Sequence, residues 1–106
     1  MKRLFKNQIK LLKSLQTKKG RDEAGLFTVE GIKAVTELIR SRISTEFLVF
    51  DPDFDYEDFL LKNKIGSGTE KYTCDMSIIS SMSSSEGIIA VAKLPEAADI
   101  NGFFNR

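Results

Sequence analysis

The chain contains no histidine, a single cysteine and no long apolar run. Without an imidazole, the nucleophilic Cys–His and Ser–His arrangements lack their general base, and a clustered zinc site has almost no ligands. Cys74 cannot close an internal disulfide and is expected to pack. A Ser–Lys pair remains open as chemistry, but nothing in the sequence marks one. No stretch approaches the roughly 18 apolar residues of a membrane span. No apolar signal core follows the Lys2-Arg3 pair. The default expectation is therefore a cytoplasmic protein with no membrane partner. One further absence is local: residues 1–21 hold no acidic side chain.

With 106 residues, 42% hydrophobic and 29% charged, the chain has the length and composition of one globular domain with a single core. Its net charge of +1 conceals an asymmetry. Lys2, Arg3, Lys6, Lys10, Lys13, Lys18, Lys19 and Arg21 stand in the first 21 residues, which leaves 8 basic and 15 acidic groups, a net of −7, in the rest. Such segregation points to a basic arm or face for a polyanion, and competes with the plainer reading of a solvated face that keeps the protein soluble.

Over about residues 3–17, Phe5, Ile9, Leu12 and Leu15 share one face of a helix, and Lys2, Lys6, Lys10 and Lys13 share another. The apolar stripe can dock on a sheet while the ammonium row faces outward, where phosphates could lie along it. Residues 17–23 break the helical period with Gly20 in a cluster of charge, which reads as an exposed loop. Cations on a loop adapt to a phosphate backbone, so Lys18, Lys19 and Arg21 are the stronger ligand candidates, with Lys13 beside them.

Leu26, Phe27 and Val29, between Gly25 and Gly31, read as a short buried strand. Ile32, Val35, Leu38 and Ile39 then recur at helical spacing, so a helix over about 31–42 begins at Glu30-Gly31, where a carboxylate suits the free backbone N–H groups. The apolar run Phe47-Leu48-Val49-Phe50 within residues 45–50 reads as a strand buried on both faces, which favours an α/β sandwich. Asp51, Asp53 and Asp55 open like an EF-hand loop, but Tyr56 stands where the turn glycine belongs and Lys62 where the bidentate Glu belongs. A turn at Asp51-Pro52 and an acid-rich start to a helix over about 56–64, with Phe54, Phe59 and Leu60 inward, fits better than a metal site.

Gly66 and Gly68 make a turn without a nucleotide-binding loop. Residues 70–74 read as a third strand, and Asp75 as the N-cap of a short helix through Ile78, Ile79 and Met82. After a polar loop at Ser83-Ser84-Ser85-Glu86, residues 87–92 form another interior strand, ended by Pro95. Phe103 and Phe104 stand beyond it without an evident core.

The basic leader ending in Lys18-Lys19-Gly20-Arg21, the box Gly25-Leu26-Phe27-Thr28-Val29-Glu30-Gly31, and Gly87-Ile88-Ile89-Ala90-Val91 together resemble the N-terminal substrate-binding domain of SpoU/TrmH-type RNA ribose 2′-O-methyltransferases. The resemblance covers nearly the whole chain. It departs before the last strand, where the family often carries Pro-Gln and this chain has Ser85-Glu86. It implies an L30e-like three-layer α/β/α sandwich with a small mixed central sheet, holding structured RNA (rRNA or tRNA) over residues 1–95. Residues 96–106 would be a linker toward a C-terminal methyltransferase domain that this chain does not include. S-adenosylmethionine and the methyl-transfer residues belong to that second domain, as does any homodimer made through it. No cofactor or catalytic residue is therefore expected within these residues.

Charge nominates Lys13, Lys18, Lys19 and Arg21 as RNA ligands. The box nominates Gly25, Phe27, Glu30 and Gly31, and because a carboxylate repels phosphate, Glu30 is assigned to the strand–helix corner. No aromatic ladder for base stacking is visible, so recognition of backbone and shape is expected. The competing functions are a protein-interaction or dimerisation domain whose basic helix is merely solvated, and a stand-alone enzyme, which the missing catalytic groups disfavour.

Overall fold

Two apolar runs organise the molecule, because a strand buried on both faces needs a helical layer on each side. The structure, a computed structural model, describes residues 1–79 and 86–95. In chain order these form β1 (Lys2–Arg3), α1 (Lys6–Ser14), α2 (Lys18–Ala24), β2 (Leu26–Glu30), α3 (Ile32–Arg40), β3 (Thr45–Phe50), α4 (Tyr56–Lys62), β4 (Glu70–Thr73), α5 (Met76–Ile79) and β5 (Ile88–Lys93). The expectations placed on Met82, the serine loop before Glu86, the linker, Phe103 and Phe104 lie outside the described residues.

The strands form one mixed sheet in the order β1-β4-β3-β5-β2. β1 and β3 each pair parallel with β4, while β5 runs antiparallel to both β3 and β2. The two unbroken apolar strands are thus central neighbours, where both of their faces are covered. Period-2 alternation divides their side chains between two cores. Phe47, Val49, Ile89 and Val91 join Leu4, Leu12, Leu15, Tyr72, Met76 and Ile79 under α1 and α5. Leu48, Phe50, Ile88, Ala90 and Ala92 join Phe27, Val29, Val35, Leu38 and Phe59 under α3 and α4. The result is the expected α/β sandwich.

The leader departs from the sequence reading in three ways. Its first residues are an edge strand, with Lys2 opposite Tyr72 and Arg3 opposite Thr73, so helix α1 is shorter than residues 3–17 and Lys2 is not on it. Phe5, assigned to the apolar stripe, lies at the N-cap with its side chain exposed, and Leu4 enters the core instead. Residues 17–23, read as a loop, are the N-cap and body of helix α2. Gly20 is there for space, since a Cβ on it would fall on the Ser14 carbonyl where the two helices meet.

Other boundaries shift by a turn or less. α3 stops at Arg40, where the Ser41 hydroxyl donates to the Leu38 carbonyl at 2.6 Å, and α4 ends at Lys62. The acid cluster makes the turn and the acid-rich helix start expected of it, and its carboxylates also accept from backbone N–H groups. Asp55 accepts from the Asp58 N–H at 3.2 Å, while Asp51 accepts from the N–H groups of Asp53 at 3.0 Å and Met76 at 3.3 Å. Asp75 accepts from both the N–H and the hydroxyl of Ser77, at 2.9 and 2.8 Å, and these bonds hold its carboxyl below the usual range.

Candidate nucleic-acid interface

The path of the leader follows from the topology. β1 and β2 are the two opposite edges of the sheet, and α1 is the helix that carries the chain between them, with Leu12 and Leu15 fully buried against the sheet. Five strands span about 19 Å at their usual spacing, and nine helical residues cover about 14 Å. The leader therefore passes from the β1 edge to the β2 edge by way of the face that α1 covers.

On α1, Lys6, Lys10 and Lys13 are exposed and separated by about 6 Å and about 4.5 Å along the axis. None of them, nor Lys2 or Arg3, makes an ion pair among the described residues. Lys13 also occupies the last turn, where a cation complements the carbonyl end of the helix.

α2 begins at Thr17, whose hydroxyl accepts from the Gly20 N–H at 3.0 Å and donates to the Ser14 carbonyl at 3.2 Å. It ends at Gly25, whose left-handed φ of 67° lets its N–H reach the Arg21 carbonyl at 2.8 Å. Within it, Lys18 meets Asp22 at 2.9 Å and Lys19 meets Glu23 at 3.9 Å. The lysine side chains remain 83% and 87% exposed. Exposed pairs of this kind contribute roughly 0–1 kcal/mol, so a phosphate can displace the carboxylate. Arg21 is half-buried and donates to the Leu15 carbonyl at 3.1 Å.

Lys18, Arg21 and Phe27 meet around one cleft of about 460 Å³, completed by Leu15, Asp22, Thr28 and Leu94. Lys13 lies on the neighbouring helix, and Lys19 does not line the cleft. Glu30 and Gly31 lie at the far end of β2, away from these cations. Gly31 is buried with φ 98°, a conformation suited to glycine.

The Glu86 carboxylate accepts from the first N–H of α3, at 3.1 Å from Ile32 N, beside the strand–helix corner to which Glu30 was assigned. Glu86 stands where the resemblance has Gln, and it takes a left-handed φ of 60°. The second residue missed from sequence is Phe5, exposed beside Lys6. A phenylalanine at a position that favours Ser, Thr, Asp or Asn was the available signal.

Cys74 is half-buried, and burial together with Asp75 and Asp51 pushes its thiol up, away from nucleophilic use. No helix among the described residues is long and apolar enough to cross a membrane.

Residues 6–90 match the family model of the MRM3-like substrate binding domain. No curated protein matches the sequence. Among solved structures, the chain is similar to a TrmH-family protein from Porphyromonas gingivalis, at 29% identity and a TM-score of 0.72 over 88% of this chain and 36% of that one. It is similar in fold to the SpoU methyltransferase AviRb from Streptomyces viridochromogenes, at 18% identity and a TM-score of 0.68 over 89% and 35% of the two chains. AviRb has also been solved with AdoMet. A structure of an RNA 2′-O ribose methyltransferase matches at 21% identity and a TM-score of 0.68, over 87% of this chain and 36% of that one. The chain thus spans about a third of the length of the solved chains it resembles.

Proposed function

The chain belongs to the MRM3-like substrate-binding domain family, and from that premise we propose that it is the RNA-binding module of an RNA methyltransferase, itself non-catalytic. The observation that carries this reading is the acid-free row of exposed lysines on α1, followed along the chain by Lys18, Lys19 and Arg21 at the β2 edge of the sheet. The site is Lys13, Lys18, Lys19 and Arg21, with Lys6 and Lys10 extending it. The substrate is structured rRNA or tRNA and the modification is at the ribose 2′-oxygen, as the matched 2′-O methyltransferase suggests.

Methyl transfer from S-adenosylmethionine belongs to a second domain. Residues 96–106 lead to that domain, which also makes any homodimer. The short length relative to the solved relatives supports this division, as does the lack of histidine. An L30e-like sandwich in the cytoplasm fits the same picture, because it presents one charged helical face to RNA.

The test is binding of a folded RNA hairpin across a salt series, with Lys18, Lys19 and Arg21 changed together to Ala. We expect wild-type affinity to fall steeply with salt. The triple variant should bind roughly 10- to 100-fold more weakly near physiological salt, with a shallower logarithmic slope by about 2–3 units. Equal affinity and slope in both proteins would remove these residues from the interface. Self-association without any RNA retention would favour the protein-interaction reading.

A further inference from the structure

Phe5 breaks two local rules at once. It occupies the N-cap of α1, where a side-chain oxygen normally accepts from a free helix N–H, and it has no such atom. Only the return half of a capping box is made, from the Phe5 N–H to Gln8 Oε1 at 2.8 Å. The residue is also 53% exposed, although Leu4 beside it is buried.

The ring is nevertheless held. It meets Tyr72 edge-on, with centroids 6.0 Å apart and planes at 63°, and Tyr72 meets the buried Phe47 edge-on at 5.6 Å and 90°. The Tyr72 hydroxyl donates to Glu70 at 2.7 Å, which fixes the middle ring and raises its phenol above the ordinary range. Three rings thus run from the sheet interior to the surface at its β1 edge. Exposed Lys2, Arg3 and Lys6 are the outer ring's neighbours along the chain and make no ion pair among the described residues, Lys2 lining a cleft with Tyr72 and Glu70 and Arg3 another with Thr73 and Asp75. An anchored aromatic ring among free cations has the chemistry of a platform for single-stranded nucleic acid, where the base stacks and the adjacent phosphates find ammonium or guanidinium groups.

We propose that Phe5 is a stacking platform for one unpaired base of the RNA, whose flanking phosphates lie on Lys2, Arg3 and Lys6. This deepens and rests on the RNA reading above: it adds an unpaired nucleotide to what the module recognises.

The chain has no tryptophan, so Phe5→Trp installs a single fluorescent ring at the site. Two RNAs are compared at one salt concentration, a blunt hairpin and the same hairpin with a short single-stranded tail. We expect the tail to improve wild-type binding and to quench the Phe5→Trp emission, while the blunt hairpin does not quench it. Phe5→Ala should weaken binding of the tailed RNA by roughly 5- to 100-fold and leave the blunt hairpin unchanged, with an unaltered thermal midpoint. Phe5→Trp should keep the tail preference.

Equal losses on both RNAs, or no loss on either, would overturn the proposal while leaving the lysine interface standing. So would unchanged Trp emission at saturating tailed RNA. A Phe5→Ala protein with unchanged RNA affinity but reduced self-association would assign the ring to a protein contact instead. Wild-type protein that binds neither RNA would overturn this proposal and the RNA reading together.

Discussion

The two helices of the basic leader differ in how they are anchored and in how their charge is met. α1 buries Leu12, and Leu15 just beyond it, in the core, and shows solvent Lys6, Lys10 and Lys13 with no acid beside them. α2 buries no residue, yet each of its lysines has an acid one turn later. The leader is thus one basic block in sequence and two environments in space, because Asp22 and Glu23 follow immediately after its last cation. Like charges at i, i+4 cost a helix a few tenths of a kcal/mol. Burial of Leu12 and Leu15 outweighs that cost, so α1 can keep a row of lysines that no acid neutralises.

The largest effect that would sharpen this contrast is on stability. Leu12→Ala should lose about 2–5 kcal/mol in urea unfolding, the usual range for a buried leucine. Glu23→Ala on α2 should stay within about 0.5 kcal/mol. If the two losses were comparable, α2 would be as much a part of the core as α1.

Gly20→Ala tests the joint between the helices. Its methyl group would fall on the Ser14 carbonyl, so backbone must shift, and a loss of about 1–3 kcal/mol is expected on the scale of overpacking. A neutral thermal midpoint would mean that α2 moves freely against α1.

The smallest effect concerns charge. Replacing Asp22 by Asn and Glu23 by Gln removes the competitors for Lys18 and Lys19, and should raise RNA affinity a few-fold, on the order of 1 kcal/mol or less. The same double change should barely alter stability. If affinity fell instead, the acids would be contacts of the RNA and the comparison between the helices would reverse.

Much of the fold was legible because its signals are local. The runs Phe47–Phe50 and Ile88–Ala92 announced central strands by being apolar at every position, and the structure divides them between two cores by alternation. Asp55 before Glu57 and Asp58 announced a helix start. α2 was not legible, since seven residues without a buried side chain have no period to read and Gly20 suggested a break. Thr17, which caps Gly20, was the overlooked cue. Glu86 was beyond reach from sequence, because its bond to Ile32 joins residues 54 positions apart.

By itself the sequence determined which two strands are central and how the cations are distributed, since spacing and side-chain chemistry are properties of neighbours along the chain. Tertiary structure decided which cations keep an acid, which carboxylate meets α3, and that Phe5 faces solvent on a buried aromatic stack. Those outcomes depend on distance through space between elements that only the folded sheet brings together.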